Sequence, residues 1–193
     1  MQMSLPTKNV PLTLLALMVL SCGSKRALPA WEPESGLLSN LGPETDIEAY
    51  RVQPPKDFFL GLSPQPGHVK ALVWSGLKRK DGTAQQFMVG VGPAAPGEES
   101  DTPEQYLDRW LDRLKQRRTN WSQTPIERGR INGLSFIRIH WSGTDPDNQA
   151  KLHGFVYVAK DGPKYIQIRS QDVEAHHEQS LKIAETAALT FKK

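Results

Sequence analysis

Three segments in the second half of the chain alternate polar and apolar residues, and this pattern constrains the fold more than any other feature. The segments are LSFIRIHWSG (134–143), KLHGFVYVAK (151–160) and KYIQIRSQ (164–171). An alternation of period two predicts β-strands, and the turn-forming sequences TDPDNQ and DGP between them predict hairpin connections. The sequence therefore predicts an antiparallel sheet with an apolar face that another layer must cover.

Helical periodicity occurs both before and after these strands. Thr102 is a predicted N-cap, Pro103 suits the first helical position, and Gln105 completes a capping box. The helix that begins there has an apolar stripe of Tyr106, Leu107, Trp110, Leu111 and Leu114. A second helix is predicted for the closing segment VEAHHEQSLKIAETAALTF, with a stripe of Leu181, Ala184, Ala188 and Phe191. Each striped helix needs a sheet face to pack against.

The remaining segments with strand character complete the predicted order. AYRVQPP is expected to pair with FFLGLSP, and HVKALVWSGLKR with AQQFMVGVGP, as two hairpins before the first helix. WSQTPIERGRI is predicted to be one strand after this helix. The expected order is thus four strands, a helix, four strands and a helix, which is an α+β fold with a mainly antiparallel sheet.

The only cysteine of the chain, Cys22, directly follows a short apolar run near the N-terminus. The run, VPLTLLALMVL, has the length of a signal-peptide core and is too short to span a bilayer. With VLS before it and Gly23 after it, Cys22 resembles the lipobox of bacterial lipoproteins. That resemblance implies a signal peptide over residues 1–21, fatty acyl chains such as palmitate on the cysteine, and a membrane-anchored protein that faces the periplasm or the exterior. The alternative is an incidental cysteine in an ordinary leader.

Residues 22–46 are rich in Pro, Gly, Ser and Glu and show no sustained periodicity. Such a composition predicts a flexible linker between the lipid and the folded domain. An ordered arrangement stays open, because GLLSNL has the character of one short helical turn that docks on the domain. Residues 47–193 remain as a single domain, long enough to bury a core without disulfides.

The charge of the chain is mild and argues against a nucleic-acid partner. The formal net charge is +3, and it falls to +2 when Lys8 is removed with the leader. The short basic clusters KRK and KQRR are typical of solvated loops and helix ends. A nucleic-acid binder concentrates many more cations on one face, so we expect no nucleic-acid partner.

The strand and helix sequences of the C-terminal half carry a resemblance to a known fold. INGLSFIRIHWSGTD, HGFVYVAKDGPKYIQIRSQD and the terminal AETAALTF resemble segments of bacterial lipoproteins that have the fold of PsbP, the extrinsic subunit of photosystem II. The resemblance covers residues 47–193 and implies an α/β/α sandwich around an antiparallel sheet. It also implies binding and assembly roles, such as the binding of a small GTPase by one relative, but it carries over no functional residue.

Motifs for cofactors, metals and nucleophilic catalysis are weak in this sequence. GVGPAA (90–95) matches a permissive dinucleotide-binding pattern, but the next helix begins only at about Thr102. His176 and His177 are adjacent, so they point to different sides of a helix and do not form the i, i+4 zinc pattern. The sequence contains no G-x-S-x-G turn. We therefore expect no cofactor, no metal and no catalytic activity.

The three long strands also contain charged side chains, which a fully packed sheet disfavours. Alternation assigns to a core face Ile137, Ile139, Trp141, Val156, Val158, Ile166 and Ile168. The other face then carries the candidate ligand-binding residues Arg138, His140, Tyr157, Gln167 and Arg169. One interpretation is a groove that accepts an anionic or aromatic group, with the two guanidiniums as donors and the tyrosine ring as a wall. The alternative is that these side chains lie under the first helix or in solvent, paired with Asp172 or Glu127.

These features favour a noncatalytic, lipid-anchored envelope protein that binds a protein partner or assists the assembly of an envelope complex. The alternative is a domain that binds a small anionic or aromatic ligand at Arg138 and Arg169. A hydrolase that uses His140 is a third alternative, against which the sheet face offers no carboxylate pair and no nucleophile.

Overall fold

The computed structural model of the chain describes residues 27–62 and 70–193. The predicted signal peptide and the predicted lipidation site at Cys22 lie outside the described residues. Among the described helices, none combines the length and the apolar composition that crossing a membrane requires.

Ten strands and two α-helices make up the described part of the chain. Before the first helix lie β1 (Thr45–Ile47), β2 (Tyr50–Val52), β3 (Phe59–Leu62), β4 (Lys70–Ser75) and β5 (Gln86–Pro93). The helix α1 (Pro103–Lys115) is followed by β6 (Thr119–Gln123), β7 (Glu127–Ile131), β8 (Leu134–Thr144), β9 (Lys151–Asp161), β10 (Lys164–Val173) and α2 (His177–Leu189). A short 3₁₀-helix spans Ser35–Asn40.

One eight-stranded sheet contains every described strand except β1 and β2. Its order is β3-β4-β5-β10-β9-β8-β6, with β7 also paired to β8, and neighbouring strands are antiparallel. The predicted pairings of β4 with β5, β8 with β9 and β9 with β10 are therefore confirmed. The antiparallel sheet expected from the alternating segments forms the centre of the fold.

Two of the strand predictions are wrong. AYRVQPP does not pair with FFLGLSP, because β2 pairs with β1 in a separate two-stranded sheet and β3 pairs with β4. Pro54 and Pro55 follow β2 and end it, since proline has no N–H to donate to a neighbouring strand. WSQTPIERGRI is two strands: Pro125 separates β6 from β7, and these strands pair with different parts of β8.

A helix covers each face of the sheet, as expected for an α/β/α sandwich. On the α1 face, Leu107 and Leu111 pack against Ile137, Ile139, Trp141, Val156 and Val158. On the α2 face, Ala184, Ala187 and Ala188 pack against Phe136, Phe155, Tyr157, Ile166 and Ile168. Both faces of the central strands are therefore buried.

The two helices begin and pack largely as their sequences predict. In α1, the Gln105 amide donates to Thr102 Oγ1 over 3.2 Å and the Thr102 amide donates to Gln105 Oε1 over 2.8 Å, which confirms the capping box. In the predicted stripe of α2, Ala184 and Ala188 are fully buried and Leu181 packs against the same core. The small side chains of this stripe let α2 lie close to the sheet.

The N-terminal segment contacts the domain from Pro29 onwards, which favours the ordered alternative over the flexible linker predicted for residues 22–46. The Trp31 amide donates to the Arg130 carbonyl of β7 over 2.8 Å. The Trp31 ring meets the Tyr157 ring edge-on, with their centroids 5.6 Å apart. The 3₁₀-helix formed by most of GLLSNL contacts α2, as the docked alternative predicts. The apolar side chains of this segment pack against the core, so the segment is ordered although its composition is typical of a linker.

Gly129 of β7 makes room for the Trp31 ring, because a Cβ at this position would lie 2.3 Å from the indole. Gly129→Ala should therefore displace the indole and lower the free energy of unfolding by about 1–3 kcal/mol. Hydrogen exchange of the Trp31 amide should become faster in this variant. Gly36→Ala is the matched control, because a Cβ there has no neighbour within 4 Å. Equal exchange of the Trp31 amide in both variants would contradict the docking of this segment.

Candidate functional site

The register of the sheet divides the predicted ligand-binding residues between its two faces. Arg138 and Tyr157 lie opposite each other on β8 and β9, and their side chains lie on the α2 face. Gln167 lies opposite Val158 on the other side of the sheet, and Arg169, two residues further along β10, shares that α1 face. The prediction that all these residues share one face is therefore wrong.

The error arises in β10, where apolar residues occupy both faces. The sequence interpretation groups Ile166 and Ile168 with Ile137, but the structure places both isoleucines in the core on the α2 face. Asp161 pairs with Lys164, so a two-residue turn sets the register between β9 and β10. A shift by one residue reverses every side chain, and the apolar pattern does not resolve it because both faces are buried.

Three of the predicted residues meet between the sheet and α2. With the residues that they contact, they form what we call the Arg138 cluster: Trp31, Glu127, Arg138, His140, Tyr157 and Glu185. The Arg138 guanidinium donates to Glu127 Oε2 over 2.8 Å and to the Tyr157 hydroxyl over 2.9 Å. Its central carbon lies 4.5 Å from the centroid of the Trp31 ring. The guanidinium is thus both paired with an acid and stacked on an indole.

Glu185 of α2 completes the Arg138 cluster. His140 Nε2 lies 2.8 Å from Glu185 Oε1, and the Tyr157 hydroxyl donates to the same oxygen over 3.0 Å. Burial raises the pKa of Glu185, but the hydrogen bonds from His140 and Tyr157 outweigh burial and lower it below its ordinary value of 4.5. Burial, reinforced by the charge of Glu185, raises the pKa of the Tyr157 hydroxyl. The cluster is therefore a set of mutually paired groups, which confirms Glu127 as a partner, although the helix above the cluster is α2 and not the first helix.

Asp172, the other acid that was expected to pair with the candidate ligand-binding residues, pairs with Arg79 instead. Arg79 donates to its two carboxylate oxygens over 2.7 and 2.6 Å, and the Ser180 hydroxyl donates to it over 2.6 Å. Arg79 and Ser180 also line a cavity of about 340 Å³ together with Lys56, Phe58 and other residues. The buried charge of Asp172 beside this cavity is thus satisfied within the fold.

Gln167 lines a smaller cavity on the α1 face, and Arg169 contacts Met88, another residue of the lining. This cavity has a volume of about 90 Å³ and is lined by Met88, Gly90, Gly92, Pro93, Tyr106, Tyr165 and Gln167. Arg169 Nη2 lies 3.1 Å from the Met88 sulfur, and the guanidinium carbon lies 5.6 Å from the centroid of the Trp110 ring. We call this cavity, with Arg169 and Trp110 beside it, the Arg169 pocket. Burial lowers the pKa of Arg169, but an arginine stays protonated at physiological pH.

The adjacent histidines near the start of α2 take separate positions. His176 is the N-cap residue of α2. The His177 ring stacks on the His153 ring with centroids 3.8 Å apart, and its Nδ1 lies 2.8 Å from the Glu174 carbonyl oxygen. Within residues 27–62 and 70–193, no group of three or more His, Cys, Asp or Glu side chains is arranged so that it could hold a metal ion.

Sequence reasoning missed Trp31 and Glu185 as parts of the Arg138 cluster. Trp31 lies in a segment without periodicity, so its signal is that it is a large aromatic residue in a segment with the composition of a linker. Glu185 directly follows the buried Ala184 of the α2 stripe. A carboxylate at the margin of a buried stripe is itself a signal for a cationic partner on the opposing sheet.

The pH dependence of folding should reveal the Arg138 cluster through Glu185. Because the pKa of Glu185 is lowered in the folded protein, its contribution is complete above 4.5 and is lost as the pH falls through the lower folded value. Glu185→Gln should reduce the free energy of unfolding by about 1–3 kcal/mol near neutral pH. This deficit relative to the unchanged protein should shrink as the pH falls below 4.5.

Urea titrations over this pH range measure the effect. Glu178→Gln, which changes an exposed residue of the same helix, is the control and should shift the free energy of unfolding by less than about 0.5 kcal/mol. A deficit that stays constant with pH would show that the Glu185 carboxylate is not stabilised by its partners.

Comparison with known proteins supports the fold. No protein-family model matches this chain, and no curated protein matches its sequence. The structure is similar to the solution structure of cyanobacterial PsbP (CyanoP) from Synechocystis sp. PCC 6803, with a TM-score of 0.58 and 14% identity over 80% of this chain and 93% of that one. A Pseudomonas aeruginosa protein of unknown function, PA94, aligns with a TM-score of 0.48 and 10% identity over 76% of this chain and 94% of that one. The likeness to CyanoP shows that this chain has the PsbP-like fold.

Proposed function

We propose that this chain is a noncatalytic, lipid-anchored protein of the bacterial cell envelope. In this proposal, its PsbP-like domain binds an extended segment of another envelope protein. The observation that carries the proposal is the apolar edge strand β3.

Strand β3 ends the eight-stranded sheet and pairs only with β4 among the described strands. Its Phe59 and Leu60 side chains are 65% and 51% exposed. Leu77, in the connection that follows β4, is 68% exposed. An edge strand offers unpaired N–H and C=O groups, and large exposed apolar side chains beside them mark a surface for another chain.

An extended polypeptide segment suits this edge better than a helix does. Phe59 and Leu60 point to opposite faces of the sheet, because successive side chains of a strand alternate. A strand added alongside β3 contacts both side chains and pairs with the free backbone groups. A helix packed on one face would leave one of the two side chains exposed.

The absence of catalysis is proposed from the chemistry of the Arg138 cluster. Its charged groups pair with one another, and it contains no serine, threonine or cysteine that a histidine would activate. His140 is directed to Glu185 of α2. This pairing supports a structural role for His140 in place of the hydrolase alternative.

The lipid anchor rests on the sequence around Cys22. Each acyl methylene buried in a bilayer contributes about 0.8 kcal/mol, so two or three chains retain a protein on a membrane almost permanently. Seven Cα steps join Cys22 to Pro29, the first described residue that bonds to the domain, and they span at most about 25 Å. A lipid on Cys22 would therefore hold the domain close to the membrane surface, where other envelope proteins are concentrated.

Replacement of the lipidated residue tests the anchor. Cys22→Ala should move the chain from the membrane fraction to the soluble fraction and abolish incorporation of labelled palmitate, because the thiol is the acylated group. Ser24→Ala, a change in the same segment, should leave both properties unaltered. Retention of Cys22→Ala on membranes through detergent-free washing would count against the lipid anchor.

A photo-cross-linking residue in β3 tests the partner surface. Phe59 replaced by p-benzoylphenylalanine should give one discrete adduct with another envelope protein in intact cells, and Leu60→Lys should remove that adduct. The same replacement at Leu38, a leucine that is 43% exposed but lies outside β3, should give none. Hydrogen exchange of the β3 amides should also be slower in the intact envelope than in the purified chain. Equal adducts at both positions, or unchanged exchange, would refute the docking of a partner strand.

A further inference from the structure

The Arg169 pocket has a floor without side chains. Gly90 and Gly92 of β5 lie opposite Gln167 and Tyr165 of β10, and all four residues line the cavity. Glycine has no Cβ, so space remains above β5 on this face. The Tyr106 ring of α1 stacks on the Tyr165 ring with centroids 4.5 Å apart, which gives the cavity an aromatic wall.

Gln167 and Arg169 are two hydrogen-bond donors without a strong acceptor among the residues that the structure describes. Gln167 is only 6% exposed, and its Nε2 donates to no described group. Arg169 forms no ion pair with a carboxylate among residues 27–62 and 70–193, and its Nη2 donates only to the weak acceptor sulfur of Met88. A buried donor without an acceptor destabilises a fold, and Arg169, which is half-buried, has no described carboxylate beside it to offset the partial loss of water around its charge.

Arg138 shows that an arginine of this sheet can be paired with an acid within the described part of the fold, which Arg169 is not. Both arginines lie on central strands of the same sheet, and both lie near an indole ring. Arg138 binds Glu127 and a tyrosine hydroxyl within the fold. Arg169 has no such acid among the described residues, so its charge is available to a bound anion.

We propose that the Arg169 pocket binds a small organic carboxylate. Its carboxylate accepts hydrogen bonds from the Arg169 guanidinium and the Gln167 amide, and its apolar part lies against Met88, Tyr106 and the glycine floor. One guanidinium and one neutral amide match a singly charged carboxylate, whereas a phosphate dianion calls for more positive charge. The ligand thus supplies a negative charge for Arg169 and a hydrogen-bond acceptor for Gln167.

The cavity limits the size of the ligand. A volume of about 90 Å³ equals the liquid share of about three water molecules. A short acid of about four carbons, or the carboxylate end of a longer molecule whose remainder lies over Trp110, fits this space. With few atoms to bury, such a ligand should bind with a Kd on the order of 1 mM.

Titration of the full chain with butyrate tests the proposal. The Gln167 side-chain amide and the Trp110 indole N–H should shift saturably in ¹H–¹⁵N spectra. Butyramide, which has the same shape without the charge, should produce no saturable shift. Arg169→Gln should weaken butyrate binding at least about tenfold, since a hydrogen bond to a charged group is lost.

Arg113→Gln is the matched control because it removes an exposed arginine of the adjacent helix α1, and it should change the affinity less than about twofold. The absence of saturation by about 50 mM butyrate would overturn the proposal. So would equal binding of butyramide, or an equal loss of affinity in both arginine variants. If Arg169→Gln does not fold, the comparison of butyrate with butyramide on the unchanged chain decides the question.

Discussion

Burial of the central sheet on both faces is the constraint on which the rest of this structure depends. Strands β8, β9 and β10 lie between α1 on one face and α2 on the other, so each of their side chains must be apolar or find a partner. Arg138 meets this requirement through Glu127 from the neighbouring strand. Arg169 lies in the same sheet, but it has no carboxylate partner among residues 27–62 and 70–193. Because Arg138 has an acidic partner, its surroundings form a structural cluster. Because Arg169 lacks one among the described residues, its surroundings form a candidate ligand site.

The N-terminal segment belongs to the same arrangement. Trp31 covers the Arg138 guanidinium and contacts Tyr157, so residues that precede the first strand help to bury the central sheet. Pro29, whose carbonyl accepts from the Arg130 amide, lies only seven residues after Cys22 in the sequence. In the proposed function, the domain is held near the membrane surface by a short connection, and β3 at the edge of its sheet is open to a partner.

Local signals allowed much of the fold to be predicted from the sequence. The capping box at Thr102 and the alternation in β8 and β9 depend on neighbouring residues, and both are confirmed. The pairing of β2 with β1 depends on which of two nearby segments a short strand meets, and the sequence did not determine it. The alternation in β10 separates Ile166 and Ile168 from Gln167 and Arg169, but it does not determine which helix each pair faces, because both faces of the sheet are buried.

The candidate sites were predictable only where they depend on neighbouring residues of the sequence. Arg138, His140 and Tyr157 were correctly grouped, since they lie on two adjacent strands with a directly predicted hairpin. The Arg169 pocket depends on Gly90 and Gly92 lying opposite β10 across a pairing that is distant in sequence. The sequence marks these glycines as a weak nucleotide motif, whereas their effect in the structure is to leave space beside Gln167.

The division of the two guanidiniums between opposite faces is tested most directly by nuclear Overhauser spectroscopy of the full chain with labelled arginine side chains. The structure predicts cross-peaks from Arg138 to the Trp31 and Tyr157 rings, and from Arg169 to the Trp110 ring and the Met88 methyl group. Cross-peaks from Arg169 to the Tyr157 ring, or from Arg138 to Gln167, would place the residues on one face and contradict the account.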